Sequence, residues 1–427
     1  VVNMSASVSH VAKRRNRLNA GGAFGLGTTT PAYAWDFINN KARFASVDKG
    51  ALANTPGWTF TRASTGYAQT SAGALTAFAS GELRRTDKGV LIEGARTNLC
   101  LRSQEFDDAA WTKVMAAFTA NATTAPDGTS TADLLTEDAS AGVTHRTFQN
   151  FTFSAVQYAL SVYAKPNGRT WLGLRTPSGI ISYFNLSGAG SVGTLNHTSS
   201  GIQALANGWY RCWIVWTAGA ASSAFGFDLA SADATSTYNG DGTSGVYIWG
   251  GQLEASAFQS SYVPTTTASA TRAADVLTVP VTLTSPLTMY AEFEYSGADS
   301  SFGQANRYAF QAGLNNTNRA ILYNAGTYGA NRCIVQISAA TQANPGVGAS
   351  IIPVGSPQKV ALAVATNDFR IVSNGTLGTP DTSGTALSDI TIAKLGGEPT
   401  SELFGYLRRA AIWTRALSNS ELQTVTL

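Results

Sequence analysis

Apolar positions along this chain recur mostly at every second residue. In "YALSVYAK" (158–165) Tyr158, Leu160 and Val162 share one face while Ser161, Tyr163 and Lys165 take the other, the mark of a half-buried strand. "WLGLR" (171–175) turns Leu172 and Leu174 inward and Trp171 and Arg175 outward; "YFNL" (183–186) turns Phe184 and Leu186 inward and Tyr183 and Asn185 outward. "WYRCWIVWT" (209–217) is apolar on both faces, which predicts a central strand, and "GVYIWGGQLE" (245–254) closes the set. No helical stretch intervenes. That rhythm predicts an antiparallel sandwich.

The same period runs earlier and later. In "GWTFTRAST" Trp58 and Phe60 alternate with Thr59 and Thr61, and a second series of strands begins at 287 and runs through about 375. Near the C-terminus Ser418 is followed three residues later by Glu421, a capping box that predicts one short helix starting at Asn419. The fold class is therefore all-β: two antiparallel β-sandwich (jelly-roll) domains, at 100–272 and 273–427, after a small β junction module at 35–99. "PTTTASATRAAD" (264–275) is small and polar and reads as the linker between the sandwiches. Residues 1–34, basic and then Gly/Thr/Pro-rich, read as an extended arm with little to bury.

Composition changes the picture in one respect. Hydrophobic residues make up 44% of the 427, enough for cores, but charged residues only 13%, about half the usual share. Net charge is +3, and the one basic run, Lys13, Arg14, Arg15 and Arg17, lies in the arm. Nucleic-acid binding needs a concentrated basic face and is not expected. The run is a candidate for particle anchoring, against the plainer reading of a solvated tail. Cys100, Cys212 and Cys333 are far apart and odd in number, which argues against a metal pattern or disulfide framework and for a reducing compartment. No apolar run approaches a membrane span, and the N-terminal stretch is too weakly apolar for a signal-peptide core.

Candidate chemistry is sparse. There are three histidines, no nucleophile elbow and no zinc spacing, so no catalytic residue and no metal ligand is assigned. Glu292 and Glu294 in "YAEFEYS" are the one carboxylate pair to weigh for glycoside cleavage; an ordinary outward strand face with Phe293 turned inward is the simpler reading. No cofactor is expected, although the turn "STYNGDGTSGVY" (236–247) has Asp241 at its tip, where calcium is one reading and turn chemistry another. Binding fits better. Trp171, Arg175, Tyr183 and Asn185 fall outward on consecutive strands, an aromatic and amide face suited to carbohydrate, or else one covered by a neighbouring domain or subunit. Asn306, Tyr328 and Asn331 form a second candidate face.

Three stretches together resemble a known family. "GWTFTRASTGYAQTSAGAL" (57–75), "GVLIEGARTNLCLRSQEFDDAAWTK" (89–113) and "TANATTAPDGTSTADLLTE" (119–137) resemble a module of tailed-phage and prophage virion proteins, the head spike and tail fibre components. "ANGWYRCWIVWT" and the segment from "GVYIWGG" to "ATRAAD" look like the carbohydrate-binding-module-type jelly roll of the same proteins. "GYLRRAAIWTRALSNSELQ" is similar to the closing strand and helix of concanavalin-A-like (laminin-G-type) sandwiches. Cys100-Leu101-Arg102 stands where the family pattern is more apolar.

The resemblance implies a virion protein, assembled in the host cytoplasm and released by lysis. Its partners would be capsid or tail/baseplate proteins and host surface polysaccharide, displayed as a homo-oligomer, most simply a homotrimer, without membrane insertion. The alternatives are a polysaccharide depolymerase on the same scaffold and a ligand-free capsid decoration protein. Glu93, Arg96 and Asn98 would be buried and paired at a junction. Two expectations follow: residues 1–34 order only on the particle, and Trp171→Ala leaves folding intact while weakening adhesion.

Overall fold

A computed structural model of the protein describes residues 24–27, 29–296, 306–325, 330–347, 355–398 and 401–427. Among them there is one α-helix, Asn419–Thr426; nearly everything else regular is β-strand. The strands read from alternation are present: Gln157–Asn167, Trp171–Arg175, Ile181–Asn185, Tyr210–Thr217, Gly245–Glu254 and Leu287–Tyr295. Ser418 caps the helix as its spacing requires, with the Glu421 side chain returning to the Ser418 backbone. All three cysteines are free and buried.

The chain folds into two compact units, and neither is one continuous stretch. Unit 1 comprises 1–62, 81–94 and 274–427; unit 2 comprises 63–80 and 95–273. The expected junction module at 35–99 is thus not a body of its own. Its strands are two to four residues long, too short to enclose a core, and most of them complete sheets belonging to the larger units instead. Tyr33–Asp36 lies between Lys41–Phe44 and Gly405–Trp413 in a ten-stranded antiparallel sheet, and Gly89–Ile92 pairs with the other end of Gly405–Trp413. Thr59–Thr61 pairs with Val276–Leu283 at the edge of the facing eight-stranded sheet. Between these two sheets lies the unit's core, with Trp35, Met289, Phe293, Phe310, Leu362 and Leu407 all within it.

The arm also ends earlier than its composition suggests. Phe24 and Leu26 are buried with Trp413, Leu417, Leu422 and Val425, on the face of the ten-stranded sheet that carries the helix. Trp35 is fully buried, edge-on to Phe310. A truncation through residue 34 would therefore cut into a strand inside the sheet, because burial of Tyr33 and Ala34 depends on the ladder to Gly405–Trp413. Lys13, Arg14, Arg15 and Arg17 lie outside the described residues.

Unit 2 is a sandwich of two six-stranded antiparallel sheets. Leu160, Val162, Leu172, Leu174, Phe184, Cys212, Ile214 and Phe227 fill the space between them. Tyr210–Thr217 is paired on both edges, as its two apolar faces require. The sheet face holding Tyr163 and Trp249 is covered too: the hairpin Gly66–Gln69/Leu75–Phe78 brings Tyr67 and Leu75 onto them, beside Tyr262. The stretch read as a linker is structured. Ala270–Arg272 pairs with Arg96–Asn98, and Asn98, fully buried, uses its whole amide: Oδ1 accepts from Cys100 N and Leu253 N, and Nδ2 donates to Gly251 O and Val263 O. Arg96 is half-buried, its guanidinium over the Phe258 ring.

Unit 1 gathers its three segments on a buried ionic knot. Arg84 donates to Glu93 Oε2 at 2.7 Å and to Asp275, and Arg62 Nη1 reaches Asp275 Oδ1 at 3.2 Å. All four residues are 2% exposed or less. The backbones join in: Glu93 N donates to Asp275 Oδ2, and Asp275 N to Glu93 O, each at 2.9 Å. Burial alone would lower the Arg84 pKa, but Asp275 and Glu93 overcome it and hold the guanidinium charged. Removing one partner of such a pair strands the other charge in the interior, at a cost of about 3–5 kcal/mol. Arg84→Met is therefore expected to lose about that much stability in chemical denaturation. Arg415→Met, which breaks the exposed pair with Glu421, should cost no more than about 1 kcal/mol. Equal effects from the two would show that the knot does not hold the segments.

Candidate functional site

The four outward residues of unit 2 come together as alternation requires. Trp171 stands directly opposite Asn185 in the ladder, with Arg175 and Tyr183 on the same sheet face. They do not form an open face. Two loops lie over them: Thr194 N donates to Asp233 Oδ1 at 2.7 Å, clamping 193–194 to 231–236, and a Cβ at Gly193 would stand 2.6 Å from the Trp171 ring. Tyr183 is 6% exposed and packs with Ile181, Ala230 and Trp171, its hydroxyl 3.2 Å from Ser236 Oγ. Arg175 is committed to buried Asp228 through Nε and Nη2, while its Nη1 donates to Gly179 O at 3.2 Å. Outward on the sheet is not exposed here, because alternation is blind to loops that fold back.

Other candidates are likewise occupied. Asn331 is 4% exposed and donates to Gln358 Oε1 and Ser373 Oγ, an interior amide cluster. Asn306 is exposed, and Tyr328 lies outside the described residues. Asp241 Oδ1 accepts from the backbones of Thr243 and Ser244, and Oδ2 accepts from Ser244 Oγ at 2.6 Å. These bonds, the Ser244 hydroxyl first, hold its pKa below the usual carboxylate range, so its oxygens are engaged within their own turn. Buried Glu137 fastens that turn, accepting from Tyr238, Arg169 and Asp241 N. Among the described residues no group of three or more His, Cys, Asp or Glu could hold a metal ion. Glu292 and Glu294 do lie opposite core residue Phe293, but they are buried rather than exposed: Arg409 and Arg408 pair with Glu292, and Arg408 and Lys88 with Glu294.

An open pocket of about 260 Å³ lies elsewhere in unit 2, where strand ends from both sheets meet. One wall is the turn 176–180, linking Trp171–Arg175 to Ile181–Asn185; the others are 196–198, ahead of Ser199–Ala204, and 216–219, at the end of Tyr210–Thr217. Its volume falls just below the ~300–1,000 Å³ of drug-sized sites, so it suits one ring-sized group. Ser178, which lines it, has φ 73 beside Gly179 at φ 77, a conformation that costs a non-glycine residue of order 1–3 kcal/mol and tends to occur at functional sites. Arg175 braces that turn through Gly179 O, as does the Thr176 N to Ile180 O bond at 3.0 Å.

Inside the pocket His197 is held by hydroxyls: Nδ1 lies 2.6 Å from Ser182 Oγ and Nε2 2.9 Å from Thr176 Oγ1. Its ring meets Trp216 edge-on at 6.4 Å. Burial lowers its pKa to about 4, so it is neutral across the ordinary range and poorly matched to proton transfer near pH 7. Asn196 Nδ2 donates to Ile181 O, leaving its carbonyl oxygen free, and the hydroxyls of Ser178, Thr198 and Thr217 make no hydrogen bond among the described residues. Val156, Ile180 and Leu195 are each 45–49% exposed; Ile180 lines the pocket, Leu195 precedes Asn196, and Val156 O accepts from Ala218 N. The sequence reading passed over this site because its residues sit in three separate turns. The usable signal was a lone histidine in "LNHTSS" and the "TPSG" turn at the same end of neighbouring strands.

Neither a protein-family model nor a curated protein matches the sequence. Among solved structures the chain is similar to a heptameric SAP-like pentraxin from Limulus polyphemus, at 16% identity and TM-score 0.27, over 34% of this chain and 72% of that one. It is also similar to domain 4 of a GH43 extracellular arabinanase from Geobacillus stearothermophilus, in complex with arabinotriose, at 14% identity and TM-score 0.29, over 40% and 82%. A Trypanosoma rangeli sialidase gives 16% identity and TM-score 0.26, over 36% of this chain and 28% of the sialidase. These are partial likenesses of β-sandwich fold and nothing more.

His197 yields a pH prediction. Its folded pKa lies below the value of 6.5 expected when unfolded, so the unfolded state takes up the proton first and stability falls as pH drops from 6.5 towards 4. His197→Gln should flatten the decline of melting temperature over that window relative to the parent protein. An unchanged slope would mean that His197 does not titrate differently on unfolding.

Proposed function

We propose that this chain is a carbohydrate-binding protein whose sugar site is the pocket of unit 2. One observation carries the reading: uncharged hydroxyl and amide groups converge on a ring-sized hollow walled by Trp216, with an apolar rim. That combination of aromatic surface with a few free donors and acceptors is how small polar ligands are oriented. In finer terms the protein is a phage or prophage virion appendage, a head spike or tail fibre, that recognises host surface polysaccharide. The virion role rests on the sequence resemblance over 57–275, and with it the expectation of capsid or tail partners and several copies per particle. A single shallow pocket binds weakly, and linked copies raise avidity by ~10²–10⁴ without new contacts.

Binding without hydrolysis is the reading adopted. The engagement of both Glu292 and Glu294 with arginines supports it, since a glycosidase needs one of two carboxyl groups free to donate a proton. Release of reducing ends from host polysaccharide would favour the depolymerase alternative; silence towards glycans with tight particle binding would favour a decoration protein.

Gly219 supplies the direct test. A Cβ there meets nothing within 4 Å, so Gly219→Trp can place an indole at the pocket mouth without disturbing the core. Its thermal stability should match the parent's, and ligand-detected NMR with host polysaccharide fragments should lose the saturation transfer seen with the parent. Undiminished transfer would move the binding site away from this pocket.

A further inference from the structure

We infer that the pocket selects neutral sugar residues and discriminates against anionic ones, the uronic and sialic acids; this rests on the reading of the pocket as a sugar site. No Asp, Glu, Lys or Arg contributes to its lining. The cation just outside, Arg175, is already matched: two of its nitrogens serve the carboxylate of Asp228, itself fully buried, and the third serves Gly179 O. An entering carboxylate therefore meets no charge on the lining, and the nearest cation is already neutralised by Asp228.

The histidine offers no counter-charge either. Both its ring nitrogens face hydroxyl oxygens, and burial keeps it neutral well below pH 7. The other titratable groups on the packed elements do not line the space; Trp216, Thr217 and Ala218 come from one side and Thr176 and Pro177 from the other. A hydroxyl-bearing ring exchanges water for Ser178, Asn196, Thr198 and Thr217 nearly evenly. A carboxylate in the same position exchanges its stronger hydration for neutral donors alone, with no cation to make up the difference, and the exposed Ile180 side chain on the lining worsens that loss.

The experiment uses matched pairs that differ only at C6: the methyl glycosides of glucose, galactose and mannose against their uronic acids, with N-acetylneuraminic acid added. Each is titrated into the full chain and into Gly219→Trp, with affinity read by ligand-detected NMR. For at least one pair the neutral member should bind at least tenfold more tightly than its uronic acid, and Gly219→Trp should abolish that binding. Thr217→Arg, which sets a cation on an exposed rim position, should narrow or reverse the preference. Uronic or sialic acids binding as tightly as the neutral sugars, with the binding lost in Gly219→Trp, would overturn the inference while leaving the sugar site in place. If no member of the panel shows binding sensitive to Gly219→Trp, the sugar reading of the pocket itself fails.

Discussion

Two guanidinium groups and two carboxylates, sealed from water at Arg62, Arg84, Glu93 and Asp275, hold the discontinuous segments of unit 1 together. Their positions along the chain explain why. The chain leaves or re-enters unit 1 after 62, before 81, after 94 and before 274, and each of the four charges sits within three residues of one such passage. Apolar contacts are non-directional and could join these segments in several registers. A buried ion pair tolerates few, since a slip of one residue would strand a charge at a cost of several kcal/mol. The knot thus converts four chain passages into one geometry. It also accounts for the dense polar chemistry of "GVLIEGARTNL": Glu93 closes the knot of unit 1, and five residues on Asn98 secures unit 2 with all four of its amide hydrogen bonds.

Period-two alternation made the strands legible. Trp171–Arg175 and Gly245–Glu254 begin and end where the pattern said, and Ser418 and Glu421 marked the helix start. What alternation does not encode is the partner of a strand. Tyr33–Asp36 has the same local character whether it closes a small module or enters the sheet of a strand nearly four hundred residues away, and pairing with Gly405–Trp413 wins because only there are both of its faces covered. Small polar composition misled at 264–275 for a related reason. Arg272 and Asp275 are buried, and Thr265, also buried, donates to Cys100 O and accepts from Ser103 N, so small polar residues here serve as structural partners.

The candidate site shows the same limit from the other side. The sequence correctly put Trp171, Arg175, Tyr183 and Asn185 on one face, but two polar loops, tied by Asp233 to Thr194, roof it. Arg175 then serves the pocket indirectly, by bracing the turn that contains Ser178. The pocket's own residues are turn residues, and their proximity depends on which strand ends share one end of the sandwich. That is a property of sheet order and not of any local pattern.

The scarcity of charge acquires a structural meaning in this arrangement. With charged residues at 13% of the chain, many of the described ones are used inward or along sheets: the knot, Glu137 with Arg169, Asp228 with Arg175, Glu292 and Glu294 with Arg408 and Arg409, and Glu398 with Arg319 and Lys394. Each pair fixes a register or a turn in a fold whose local signals are otherwise repetitive. The pocket is left to hydroxyls, an amide, a neutral imidazole and an indole. Recognition by such groups is only weakly screened by salt, because the interactions that ions screen are those between exposed charges. A surface built this way depends on shape and hydrogen bonding at each contact and on the number of contacts made at once.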